Sequence, residues 1–378
     1  MKLKCLFASS KHDSNAFYLS GISVPDPYIS IVAGKEKIAV VSCLEYSRVL
    51  KYSNYSRVYE IGALTNNISK KENISQLEFN NAFIIKHFFK KYKAQSVLIP
   101  RNFPSFLLVQ LQDLGIPVCI EMTSIFKERE QKTESELKLI RKANQASAYG
   151  LSIAQSALRY SKIKSGYLYL DGSQLTSERL RNMIEIGLME KGAFAEETIV
   201  AGGIQATDPH QIGYGPLRSN ELIIVDIFPR LKLYGYHGDM TRTFLKGRAN
   251  TFQKKLVQCV RMAQKFAISK VKVNVSGQSV HRSVHNYFKA AGYNTEERPE
   301  SNSFVGFIHS TGHGLGLDVH EPPSIGISKN CLKLNHVITI EPGLYYPEIG
   351  GCRIEDVFLV EDHGVKKLSK FNYQWELP

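Results

Sequence analysis

The residues of this chain best placed to do chemistry are acids set in apolar sequence. Asp226 interrupts Leu222-Ile223-Ile224-Val225-Asp226-Ile227-Phe228, Glu341 ends Val337-Ile338-Thr339-Ile340-Glu341, and Glu355 stands near the start of Ile354-Glu355-Asp356-Val357-Phe358-Leu359-Val360. Runs this short and this rich in β-branched residues read as buried strands. An ionised carboxylate there costs several kcal/mol unless a positive charge answers it, and the runs contain no lysine, arginine or histidine. A fourth acid, Asp239, lies on the segment returning from the first run, and one imidazole, His313, sits between glycines in Ser310-Thr311-Gly312-His313-Gly314-Leu315-Gly316.

Singly these acids have plainer readings: Asp226 as a strand-end acid capping a loop, Asp239 as the partner of Arg242. Together with Glu341 and Glu355 they point to metal, because two divalent cations neutralise four carboxylates. Ions about 3.5 to 4 Å apart also hold and activate a hydroxide near neutral pH. Asp226 and Asp239 are equidistant from a point between Lys232 and Leu233. A hairpin centred there would oppose them directly, with Cβ atoms about 4.5 to 5.5 Å apart on one face. Oxygen-rich ligation with a single imidazole favours Mn2+, with Co2+, Fe2+ or Zn2+ as alternatives. No H-E-x-x-H motif occurs, which argues against a single-zinc protease helix.

His309 and His320 flank His313, and His210 follows Asp208-Pro209. Three histidines near one oxygen-ligated metal pair are best used as donors to a substrate carbonyl and its oxyanion. Arg353, two residues before Glu355, shares its strand face and is placed to orient the acids. The glycines around His313 follow neither a G-x-G-x-x-G nor a Walker pattern, so their use is backbone permissiveness.

These groups need a scaffold. Residues 1 to about 125 alternate short apolar strands (28–32, 38–42, 96–99, 116–120) with helices near 77–91 and 104–114, which is a small α/β domain without a cluster of metal-ligand side chains. After the polar stretch 127–132, Thr133-Glu134-Ser135-Glu136 has the form of a capping box and opens a helix. Long helices (about 134–159, 173–190, 251–271, 277–291) then alternate with the acid-bearing strands, giving an α+β domain. The expected division is 1–126 and 127–378.

A chain of 378 residues exceeds what one hydrophobic core usually supports, which agrees with two domains. The net charge of +13 permits an anionic partner, but the basic residues are dispersed. Their one small group, Lys90, Lys91 and Lys93 beside Phe88, Phe89 and Tyr92, reads as the end of an amphipathic helix rather than a nucleic-acid patch. Six cysteines without a C-x-x-C pair indicate free thiols in a reducing compartment. No signal peptide or membrane-spanning stretch is evident, so the expectation is cytoplasmic.

The set Val225-Asp226, Gly238-Asp239-Met240-Thr241-Arg242-Thr243, Gly312-His313-Gly314-Leu315-Gly316-Leu317-Asp318-Val319-His320-Glu321, Ile340-Glu341-Pro342-Gly343-Leu344-Tyr345 and Arg353-Ile354-Glu355-Asp356 resembles the pita-bread metallopeptidases: aminopeptidase P, prolidase, methionine aminopeptidase and the metal-free creatinase. The motifs span about residues 200–360. The preceding domain, with Asn15-Ala16-Phe17-Tyr18-Leu19-Ser20-Gly21, is similar to that of the aminopeptidase P and prolidase branch. The resemblance implies that Asp226 chelates one metal, that Asp239 and Glu355 bridge both, and that His313 and Glu341 complete the other. It further implies that Glu341 handles the proton of a bridging hydroxide, and that His210, His309 and His320 bind substrate, stabilise the tetrahedral intermediate and assist departure of the prolyl nitrogen, beside Arg353. Two features depart from the family pattern: the Asp226 to Asp239 interval is about two residues longer, and Ile227-Phe228-Pro229-Arg230 replaces the usual small residues.

The resulting expectation is an Xaa-Pro aminopeptidase with two divalent ions, acting on peptides with penultimate proline. Prolidase, restricted to Xaa-Pro dipeptides, is the alternative, and a catalytically silent pita-bread binding protein is the rival from another class. Membrane and nucleic-acid partners are not expected, and a homodimer is left open.

Overall fold

Apolar runs become strands here because they bury β-branched side chains on a pleated surface; the pairing of those strands decides where the acids meet. The computed structural model describes residues 1–75, 77–298 and 303–378, and the chain divides into two units, Met1–Lys127 and Glu128–Pro378.

The first unit is built on a sheet ordered Arg57–Glu60, Glu36–Val41, Tyr28–Ala33, Lys2–Ala8, Ser96–Pro100, Val118–Glu121. Lys2–Ala8 pairs antiparallel with Tyr28–Ala33 and parallel with Ser96–Pro100. Helices Asn81–Lys91 and Ser105–Asp113 bury Ile84, Phe88, Leu107 and Leu111 in its core. Strands Lys2–Ala8 and Arg57–Glu60 were not expected: Lys2 and Lys4 interleave the buried Leu3 and Cys5, and Arg57–Glu60 is an edge strand that buries no side chain fully. The helix expected from residue 77 begins at Asn81, where the Asn80 side chain caps it by accepting from the Ala82 N–H. The Lys91 ammonium lies over the Tyr59, Phe88 and Tyr92 rings, and Lys90 pairs with Glu72 at 3.2 Å, so these two cations engage neighbouring side chains of the same unit.

In the second unit the capping box forms: Thr133 accepts from the Glu136 N–H, the Glu136 carboxylate accepts from the Thr133 N–H, and helix Glu134–Tyr160 follows. Helices Ser177–Glu190, Thr251–Lys270 and Gly277–Ala290 complete the expected set. The second of the four starts later than expected because Ser173–Gln174 pairs as a strand with Tyr167–Leu170. One sheet runs Ile199–Gly202, Ile223–Ile227, Met240–Lys246, Glu376–Leu377, and another runs Glu321–Ile325, Gly312–Gly314, Val337–Ile340, Asp356–Glu361, Gly364–Lys367. A hairpin joins Gly343–Tyr346 to Gly350–Arg353. All of these pairs are antiparallel except that of Met240–Lys246 with Glu376–Leu377.

Alternation then places the acids. Ile223 and Val225 pack with helix residues Leu151 and Ile184, so Asp226 shares the opposite face with Ile224. Ile338 and Ile340 pack with Val260 and Val284, so Thr339 and Glu341 face away from those helices. The register pairs Asp226 with Thr241 and Ile227 with Met240. Direct opposition of Asp226 and Asp239 is therefore corrected: Asp239 is a diagonal neighbour on the same face. The cause is an excursion in the connection, where Arg230–Leu231 leaves to pair with Ala193–Phe194 and Arg230 bridges to His237. Among the described residues no helix is long and apolar enough to cross a membrane.

Candidate metal centre

Asp226 reaches the site from strand Ile223–Ile227, Asp239 from the residue before Met240–Lys246, His313 from Gly312–Gly314, Glu341 from just past Val337–Ile340, and Glu355 from the link between two strands. Ligand atoms of Asp239, His313 and Glu355 lie within 4.8 Å of one another. His313 Nε2 is 3.3 Å from Glu341 Oε1, 3.7 Å from Asp239 Oδ2 and 4.0 Å from Glu355 Oε1. The His313 Nδ1–H donates to its neighbour's carbonyl, Gly314 O, at 3.1 Å. That bond leaves the Nε2 lone pair aimed at three carboxylates.

Such an arrangement is repulsive by itself. Burial, then the charges of Glu355 and Asp226, hold the Asp239 carboxyl well above the usual carboxylate range. Burial, then Glu341 and Asp226, do the same to Glu355. Glu341 is pushed up to about 8 by burial, against the opposing pull of Arg353. Burial and the adjacent His320 bring His313 down to about 4, so its ring is neutral and can ligate. Among the described residues the buried Asp226 Oδ1 has no hydrogen-bond partner. An acid cluster that resists ionisation, a neutral imidazole aimed into it and an orphaned carboxylate oxygen are what divalent cations would satisfy, so the residues present fit metal.

Hydrogen bonds from the surroundings fix the acids in place. Arg353 Nη2 donates to Asp226 Oδ2 at 2.7 Å, and its Nη1 donates to Tyr345 Oη at 2.9 Å. Thr241 Oγ1 donates to Glu355 Oε2 at 2.7 Å. The Asp239 N–H donates to Asn144 Oδ1 at 3.4 Å, on helix Glu134–Tyr160. A Cβ at Gly238 would stand 2.4 Å from the Ala143 carbonyl, so only glycine lets that helix backbone come so close. Asp239 does not pair with Arg242. The Arg242 guanidinium instead holds Asp356 Oδ1 at 2.8 Å and donates to the Glu355 carbonyl at 2.6 Å.

The site residues line one cavity of about 930 Å³: Asp226, Asp239, His313, Glu341 and Glu355, with His210, His309, His320 and Arg353. His320 packs edge-on to His313, with ring centroids 4.3 Å apart. His309 is tied by both nitrogens: Nδ1 to Ser310 O at 2.7 Å and Nε2 to Tyr345 Oη at 2.8 Å. Burial, then the Arg353 charge, lowers it to about 3. His210 keeps an exposed ring, while its N–H donates to Asp208 Oδ1 at 3.1 Å. Ile199, Ile212, Phe228 and Val319 supply apolar wall.

Sequence reading missed Thr241, Tyr345 and Asn144. Thr241 lies two residues from Asp239, so strand alternation could have found it. Tyr345 lay inside a quoted motif without a role. Asn144 carried no local signal, since its contact spans 95 residues.

The sequence model of Metallopeptidase family M24 matches residues 138–362. The chain is 28% identical over 367 residues to the Xaa-Pro dipeptidase of Pyrococcus furiosus, covering 94% of this chain and 91% of that protein. It is 31% identical over 242 residues to the Xaa-Pro dipeptidase of Pyrococcus horikoshii, covering 63% and 62%. Its fold is similar to the X-Pro aminopeptidase of Thermotoga maritima, with TM-score 0.79 and 20% identity over 100% of this chain and 98% of that one.

Proposed function

This chain belongs to metallopeptidase family M24, with the pita-bread α+β fold of that family, and from that premise we propose that it is an Xaa-Pro dipeptidase, a prolidase. The premise makes it a metal-dependent peptidase and sets aside a catalytically silent binding role. The reading on proline dipeptides draws its support from the names of the relatives above, which favour it over the Xaa-Pro aminopeptidase expected first. The observation that carries the chemistry is the lone pair of His313 facing Asp239, Glu341 and Glu355.

In this proposal Asp226, Asp239, His313, Glu341 and Glu355 hold two divalent cations, Mn2+ by the oxygen-rich donor set. When bound they supply Lewis acidity and lower the pKa of attacking water. Glu341 takes the proton of that water. His320 and His210 donate to the substrate carbonyl and its oxyanion. Glu341 then passes that proton to the departing prolyl nitrogen, while His309, fixed between Ser310 and Tyr345 and linked through Tyr345 to Arg353, orients that end of the substrate. Arg353 holds Asp226 at one oxygen so that the other faces the cluster. Proline's tertiary amide and fixed φ suit a dedicated cleft.

A second reading, cleavage of longer Xaa-Pro peptides, is favoured by the walls. Among the described lining residues of this cavity the one lysine or arginine is Arg353, already bonded to Asp226 and Tyr345. A dipeptide's terminal carboxylate would meet no other fixed cation there. Beyond Pro209, Ile308, His309 and Ser310, which both spaces share, a second cavity of about 820 Å³ continues along Phe304, Phe307 and Ile327. Turnover of Ala-Pro, Ala-Pro-Phe and Ala-Ala with Mn2+ separates the readings. Ala-Pro preferred over the tripeptide supports the dipeptidase, the reverse supports the aminopeptidase, and cleavage of neither proline peptide ends both. We place the enzyme in the cytoplasm, a reading supported by six unpaired cysteines.

A further inference from the structure

The stretch 127–132 reads in the sequence as a polar stretch ahead of a capped helix, yet Arg129 is 7% and Lys132 3% exposed. Both cations are spent on the two acids that bracket His320. Arg129 Nη2 donates to Asp318 Oδ2 at 2.8 Å and to Glu321 Oε2 at 2.7 Å. Lys132 Nζ donates to the other oxygen, Glu321 Oε1, at 2.6 Å and to the Arg129 carbonyl. The guanidinium thus spans the chain from two residues before His320 to one residue after it.

Backbone hydrogen bonds hold the start of the spanned segment, where the Gly316 carbonyl accepts from the His237 N–H at 2.8 Å and the Gly316 N–H donates to the Asp318 carbonyl at 3.1 Å. Gly316 to His320 is a succession of bends between strands Gly312–Gly314 and Glu321–Ile325, and among the described residues no hydrogen bond engages the His320 ring. A Cβ at Gly316 would lie 2.4 Å from Glu321 Oε1 and 3.0 Å from Lys132 Cε, so the glycine makes room for the clamp. Buried ion pairs of this kind often add no net stability over apolar packing. Their yield is direction: a fixed backbone on either side of a histidine that must meet a substrate oxygen.

We propose that Arg129 and Lys132 are positioning residues for His320, acting through Asp318 and Glu321; this rests on the role given to His320 above. The alternative is a clamp that only stabilises the fold, and a double-mutant cycle with His320→Ala distinguishes the two. Glu321→Gln and the less demanding Asp318→Asn, at a half-exposed carboxylate, are each measured on Ala-Pro in both backgrounds. Each should lower kcat about tenfold when His320 is present, with KM within about twofold, and change it less than about twofold when it is absent. Equal losses in both backgrounds, or no loss in either, would overturn the proposal. The order parameter of the His320 ring, read by NMR in the wild type and in Asp318→Asn, tests the clamp independently of turnover. Added motion of the ring supports the proposal and an unchanged ring refutes it, whereas a wild type that cleaves no Xaa-Pro peptide refutes only the reading beneath it.

Discussion

Glu355 and Asp356 are neighbours in sequence, buried to 2% and 0% exposure, and they meet opposite electrostatics. Asp356 turns toward helix Thr251–Lys270 and is answered on every side: by Arg242, Lys367 at 2.8 Å, Ser369, Tyr373 and Gln264. Burial alone would raise its pKa, but the Arg242 and Lys367 charges outweigh it and hold the carboxyl below its ordinary value. Glu355 turns the other way, accepts one hydroxyl from Thr241, and otherwise faces the neutral ring of His313 and the acids Asp239, Glu341 and Asp226. The lesson is that burial does not decide whether an acid belongs to structure or to chemistry. The protein supplied cations for one and withheld them from the other.

The comparison breaks most sharply at the withheld side. Glu355→Gln or Asp239→Asn should abolish turnover and weaken binding of both metals, read by activity and by elemental analysis after dialysis; full metal content with normal activity would erase the distinction. On the supplied side, Arg242→Met strands a buried aspartate and should cost about 3–5 kcal/mol in denaturant unfolding, with a smaller change if Asp356→Asn is added to it. Saturating Mn2+ at about 100 times its dissociation constant should add about 2.7 kcal/mol to the wild type and little to Asp239→Asn, measured by the same unfolding. Equal gains in both would put the ion elsewhere.

The smallest effect concerns a buried group that is unsatisfied yet neutral. Among the described residues His336 Nε2 has no hydrogen-bond partner, and burial, with Lys132 next, lowers the ring from 6.5 to about 4. The unfolded chain then binds the proton more tightly, so stability is full above about pH 6.5 and falls as the pH drops toward 4. Unfolding midpoints of His336→Leu should lose part of that acid slope, and an unaltered slope would show that the ring titrates normally. Because other buried histidines titrate in the same window, the difference between the two proteins is the readout.

Much of this was legible in the chain because a carboxylate in a run such as Val225-Asp226-Ile227 is an anomaly that local physics must explain. The helices announced themselves by caps, as at Thr133, and the faces by alternation. The register of Asp226 and Asp239 was not legible, since it depends on Arg230–Leu231 finding Ala193–Phe194 at long range. Arg129 and Lys132 passed as part of a polar stretch for a similar reason: their partners lie about 190 residues on. The distinction between Glu355 and Asp356 was also hidden, because Gln264, Tyr373 and Lys367 come from separate elements.

Gly238 shows how little tolerance this geometry leaves. With the Ala143 carbonyl only 2.4 Å from where a methyl would stand, alanine at that position would act as a wedge between helix and strand. The stretch of helix carrying Asn144 would be levered off the Asp239 amide, and the aspartate would tilt without any of the proposed ligands having been altered. A mutation screen scored only on activity would mistake this spacer for a catalytic group.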